Sequence, residues 1–220
     1  MSGGRLRRAR SLAAIAGILL LFAGCASRRP GPVDFSENPR AYAPRDYDRV
    51  RERWTRRSSL VVLDIGTVLE VWATLKSWDF RQVYIEQYAE TYSLNERDRD
   101  ELRRAELEAS RSMYEFHVTV ESTNYKWNDL QSKDSPWKVT LVDGAGVEVM
   151  ASSIEVRKYP ELYEMRFFPA RTDFSRTYVI KFPKTATEPD ARPFQGTASG
   201  RIILRVAGPL GRNELVWDSI

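Results

Sequence analysis

The chain has 220 residues, with 34 Lys and Arg against 30 Asp and Glu and a formal net charge of +4. The excess lies wholly in the first 24 residues, which hold four arginines and no acid, so the remaining 196 carry 30 basic and 30 acidic side chains and are formally neutral. A neutral body lacks the field that dominates nucleic-acid affinity, which excludes nucleic acid as a partner, and one histidine with one cysteine leaves no ligand set for zinc.

Arg5, Arg7, Arg8 and Arg10 precede an uncharged run from Ser11 to Gly24. That is a basic n-region followed by an apolar h-region, too short for a spanning helix and closing on small residues, so it reads as a signal peptide over residues 1–24. The run ends Leu21-Phe22-Ala23-Gly24-Cys25. This resembles the lipobox of bacterial lipoproteins, with Phe22 where that family usually has Leu. The resemblance implies a diacylglyceryl group on the Cys25 thiol, cleavage before Cys25 and acylation of the new amine. Each buried methylene contributes about 0.8 kcal/mol and two or more chains anchor stably, so such a protein is held at a membrane through its lipid. Ala26, in place of an aspartate, implies sorting to the outer membrane in a Gram-negative envelope. A committed Cys25 also leaves no thiol for an intramolecular disulfide.

From Ala26 to Arg53 the chain is rich in proline (Pro30, Pro32, Pro39, Pro44) and arginine, a composition poor in burial, so residues 25–53 read as a lipidated cysteine plus flexible tether. One domain is then expected over 54–220. Leu69, Val71, Ala73 and Leu75 alternate with Val68, Glu70, Trp72 and Thr74 at strand period, with Gly66 marking either a bulge or a break between two strands. Ser77 caps a helix carrying Phe80, Tyr84 and Tyr88 at four-residue steps. Ser93-Leu94-Asn95-Glu96 fits a capping box opening a second, highly charged helix with Leu102, Ala105, Ala109 and Met113 as its apolar stripe. These helices form an insertion over about 77–112.

Strands follow from Tyr114, where Tyr114, Phe116, Val118 and Val120 alternate with Glu115, His117, Thr119 and Glu121. Trp137, Val139 and Leu141 lead into an Asp143-Gly144-Ala145-Gly146 hairpin turn, with Val147 and Val149 returning. Further strands are expected at Ile154–Arg157, Tyr163–Phe168, Thr177–Phe182, Arg201–Ala207 and Glu214–Trp217. Short strands at this spacing predict an immunoglobulin-like antiparallel β-sandwich, with the two-helix hairpin between the first strand and the rest. Tyr178, after a turn containing Asp173, is placed to act as a tyrosine corner.

Catalytic chemistry finds little support. His117 falls on the polar face of its strand as a surface or interface residue, and neither a nucleophile elbow nor a phosphate loop occurs. No metal site and no cofactor beyond the lipid on Cys25 are expected. The aromatic residues are mostly core, except Trp127 in the polar loop Asn124–Leu130; Trp127, Asn128 and Asp129, with Tyr84 and Tyr88, are the expected binding surface. The function expected is a noncatalytic, lipid-anchored binding or assembly module with an envelope protein or glycan as partner. The alternatives are an accessory lipoprotein of a secretion or surface machine and a glycan hydrolase acting through two carboxylates.

Overall fold

The computed structural model describes residues 30–63, 65–157, 162–168, 172, 174–185 and 192–220, without the side chains of 162–164. The signal peptide and Cys25 lie outside these residues. The expected tether does not: residues 30–53 are largely docked on the domain. Pro44 opens a single 3-10 turn, Asp46 accepts the Ala43 amide, and helix α1 follows at Tyr47–Trp54. Its Tyr47, Val50 and Trp54 lie at positions i, i+3 and i+7, one stripe, and all three are buried. Average composition concealed this stripe, because the arginines around it are the helix's outer face.

Two strands, β1 (Thr55–Val62) and β2 (Gly66–Leu75), form an antiparallel hairpin before the helices, so Gly66, at φ 81°, marks a break between strands. The expectation of one strand before the helical insertion is thereby corrected. Helix α2 (Trp78–Thr91) starts at Ser77, whose hydroxyl accepts the Phe80 amide at 3.1 Å. Helix α3 (Glu96–Ser112) is capped by Asn95, whose Oδ1 accepts the Asp98 amide at 3.0 Å. Ser93 is not the cap; it turns the chain at φ 50°. The expected apolar stripe of α3 is shallow: Leu102 and Ala109 are half-buried, Ala105 is exposed and only Ser110 is buried. Instead Glu86 of α2 takes both Arg99 and Arg103 of α3.

Strand β3 (Met113–Ser122) pairs with β2 on one side and β7 (Ser175–Pro183) on the other. β4 (Lys138–Asp143) and β5 (Glu148–Met150) form the expected hairpin, with Asp143 Oδ1 accepting the amides of Ala145 and Val147. β6 is Ser153–Arg157, β8 Arg201–Gly208 and β9 Gly211–Asp218. The expected strand at Tyr163–Phe168 is instead a short helix, α4 (Leu162–Phe167).

Two antiparallel sheets result, β1-β2-β3-β7-β6 and β5-β4-β8-β9. Leu69, Val71, Phe116, Val118, Ile180 and Phe182 from the first, with Leu141, Leu204, Leu215 and Trp217 from the second, belong to one buried cluster. A sandwich-like core follows from period-2 burial on both sheets. The outer face of the five-stranded sheet is covered too, in part by α1 and Phe168. His117 and Thr119, expected on a solvated face, are therefore 7 % and 2 % exposed.

The chain entry is fixed at one end of the sandwich. Val33 bridges in parallel to Ser219 just beyond β9, and the buried Arg56 guanidinium donates to the carbonyls of Gly31, Arg53, Thr55 and Val216. Asp79, 2 % exposed, accepts the Tyr42 hydroxyl and Trp54 Nε1, and lies 3.3 Å from Arg40 and 3.5 Å from Arg53.

Candidate functional site at the apolar pole

The expected binding surface is not assembled. Trp127 is half-buried and its carbonyl accepts Trp137 Nε1 at 2.7 Å. Asn128 is 2 % exposed: its Nδ2 donates to the Val120 carbonyl, and the Tyr178 hydroxyl lies 3.0 Å from both of its carbonyl oxygens. Tyr178 thus ties the loop Asn124–Leu130 to β7 across 50 residues and is no tyrosine corner, which would bond a few residues upstream. The turn at Asp173 lies outside the described residues. Asp129 is half-buried beside Arg176 at 3.7 Å.

Tyr84 is also buried, its ring between Phe80 and Phe167 with centroids 6.1 and 5.2 Å away, while Tyr88 stacks on Phe167 at 5.8 Å. These tyrosines hold α1, α2 and α4 together near Lys76, at the opposite end of the five-stranded sheet from Trp127. Their four-residue spacing was a packing stripe, so the helical tyrosines and Trp127 do not share a surface.

Exposed apolar side chains gather elsewhere. At the turn between β1 and β2, Leu63 is wholly exposed, with Val61 and Ile65 largely so. Register places the end of β3 alongside, with Leu69 opposite Ser122, and the start of β7 next to that, with Glu121 opposite Ser175. Phe174, 80 % exposed, precedes β7, and the exposed Tyr125 follows β3. A depression of about 400 Å³ lies between, lined by Thr67, Glu70, Glu121, Ser122, Thr123 and Phe174. The β8–β9 turn closes the same pole beside Leu60 of β1, with Gly211 at φ 137°, a backbone conformation that favours glycine.

The rim is acidic but engaged. Glu70 binds Arg57 and Ser59, and Glu121 accepts the Thr172 hydroxyl at 2.8 Å. Glu70 and Glu121 stand opposite each other on β2 and β3, and both are already partnered. The sequence carried one signal for this surface: apolar residues flanking Gly66, where a turn normally collects polar ones.

Two buried polar assemblies lie away from the pole. Arg81, 1 % exposed, pairs with Glu106 and Glu115, and Lys76 reaches the same carboxylates at 3.3 and 2.9 Å. Burial alone pushes Glu115 up, but the fields of Lys76 and Arg81 and their hydrogen bonds hold its carboxyl at about 2. This cluster is neutral and closes on itself, clamping α2 and α3 to β3.

The second surrounds His117 on the outer face of the sheet, where the ring lies flat on Phe168 at 3.8 Å between centroids. Its Nε2 has no hydrogen-bond partner. Burial first, then Lys76 and Arg157, depress it to about 3, so the imidazole is neutral. Beside it is a cavity of about 180 Å³ between α1 and strands β1–β3. The surface histidine expected from the sequence is thus a buried one, because strand alternation does not report what covers the second face.

Among the described residues, no group of three or more His, Cys, Asp or Glu is placed to hold a metal, and no helix is long and apolar enough to cross a membrane. No protein-family model, curated protein or solved structure matches the chain.

Proposed function

We propose that this protein is a lipid-anchored, noncatalytic module of the bacterial cell envelope that docks a protein partner on its apolar pole. The observation that carries the reading is the gathering of exposed Val61, Leu63, Ile65, Tyr125 and Phe174 at the end of the sandwich remote from the chain entry. Several large apolar side chains left exposed at one end of a folded domain favour an interaction site there.

The partner's class follows from position. Strand β9 runs eight residues from the pole at Gly211 to Asp218, next to the Val33 bridge, a separation of roughly 25 Å at strand rise. Pro30 is five residue steps from Cys25, which reach at most about 18 Å. A lipid on Cys25 therefore keeps the helical end near its bilayer and turns the apolar pole away, which favours a protein over the anchoring leaflet.

An immunoglobulin-like topology belongs to the same reading. The orders β2-β3-β7-β6 and β5-β4-β8-β9 correspond to A-B-E-D and C′-C-F-G, with β1 as an added edge strand and the two helices inserted between A and B.

The test is a photo-crosslinking residue placed in native envelopes at Leu63, at Phe174 or, as a control, at exposed Arg97 of α3. One defined protein adduct is expected at the first two positions and none at the third, with loss of the Phe174 adduct on Leu63→Asp. Equal labelling at all three positions, or adducts to lipid alone, would overturn the proposal.

A further inference from the structure

We propose that the cavity between α1 and the outer face of β1–β3 is a binding site for one uncharged sugar ring. It does not rest on the docking reading, although it lies on the same outer face of the sheet as the depression at the pole, one pair further along β2 and β3 (Trp72 opposite Thr119, beyond Glu70 opposite Glu121).

Size sets the first bound. About 180 Å³ corresponds to roughly six waters at about 30 Å³ each, the bulk of a single six-membered ring with its substituents. It is below the roughly 300 Å³ at which drug-sized pockets begin.

The lining sets the second. Trp72 and Phe168 supply apolar walls suited to the C–H face of a pyranose. Beside them stand two buried polar side chains. His117, more than nine-tenths buried, has an unsatisfied Nε2, and Thr119, 2 % exposed, brings its hydroxyl to the same wall. Thr74, by contrast, is already spent on Thr55, whose hydroxyl lies 2.8 Å away and itself donates to the Arg51 carbonyl. A neutral imidazole offers one donor and one acceptor and a threonine hydroxyl offers both, so a ligand hydroxyl, itself donor and acceptor, satisfies either. A ligand hydroxyl that pairs these groups keeps their hydrogen bonds while its apolar face gains contact with the ring walls.

Charge sets the third. The described cations near the ring are engaged: Arg51 pairs with Asp48 at 2.9 Å and lies over the Tyr47 ring, Lys76 is held by Glu106 and Glu115, and Arg157 is not without a partner. Glu52 at the mouth repels anions, while Lys76 and Arg157 disfavour a cation beside His117. An uncharged ligand remains.

His117 is the sole histidine, so its imidazole gives isolated NMR signals that report the site directly. The soluble chain from Ala26 onward is titrated with glucose, galactose, mannose and N-acetylglucosamine, and separately with glucuronate. At least one neutral sugar is expected to shift the His117 signals saturably with a Kd in the millimolar range, and glucuronate to bind at least tenfold more weakly. Thr119→Val is expected to weaken that sugar about tenfold with an unchanged urea midpoint, and Thr119→Ser to retain it. If no neutral sugar shifts His117 up to its solubility limit, the site is not a sugar site. Binding of glucuronate as tight as the neutral sugar refutes the uncharged class, and unchanged affinity in Thr119→Val refutes the location. If Thr119→Val lowers the urea midpoint, Thr119→Ser decides the location, since loss of binding in that variant also refutes it.

Discussion

His117 is the side chain whose environment most changes what the protein does with pH. Its folded value of about 3 lies below the ordinary 6.5, so the unfolded chain binds a proton that the folded one refuses. Stability from this group is complete above pH 6.5 and is lost as pH falls toward 3. The loss runs at about 1.4 kcal/mol per pH unit, or about 2 kcal/mol by pH 5. With no second histidine, urea unfolding at pH 7.5 and pH 5 reads this effect, and His117→Leu should flatten the difference between the two. A slope that survives the substitution shows that another group carries it. Arg56 is perturbed in a different way, since burial lowers it to about 10 while four backbone carbonyls surround it. Neither environment is legible in sequence, because Phe168 against His117 and Gly31 and Val216 around Arg56 lie more than 20 positions away.

At the scale of the element, the two helix starts separate what local chemistry decides from what it merely permits. Ser77 and Asn95 each cap through one oxygen and the third amide beyond, and both belong to the residue types that do this. Ser93 is of the same type and fits the capping box on paper. The positive φ at Ser93, however, shifts the cap two residues on. Asn95→Ala should therefore cost about 1 kcal/mol. Ser93→Gly should add up to about 1 kcal/mol by relieving a left-handed backbone, so chemical denaturation midpoints should move in opposite directions. The clamp joining α2, α3 and β3 gives a second test. Glu115, held at about 2, contributes above its ordinary 4.5 and loses that contribution as pH falls from 4.5 toward 2. Glu115→Gln should lower stability at pH 7 by about 3 kcal/mol and shallow the acid limb below pH 4.5, as followed by circular dichroism.

For the whole molecule, the central expectation concerns where it sits. If Cys25 carries the lipid, Cys25→Ser should remove acyl label and shift the protein from the detergent to the aqueous phase on partitioning. A variant that stays membrane-bound with its signal peptide cut at the same site would sink the anchor reading. The chain entry and the helices lie at one pole and the exposed apolar turn at the other.

Sequence by itself determined the β-rich class, the two helices, the β4–β5 hairpin and most strand positions, because periodicity of two against 3.6 and turn chemistry are local. It also determined the neutrality of the chain after residue 24 and the likeness of Leu21–Cys25 to a lipobox. Tertiary structure alone decided which faces are covered. Tyr84, Asn128 and His117 disappear beneath neighbours distant in the chain, Tyr47, Val50 and Trp54 turn part of an arginine-rich tether into a docked helix, and Leu63 and Phe174 are left in water. Burial is a property of what packs against a residue, and no window along the chain contains both partners.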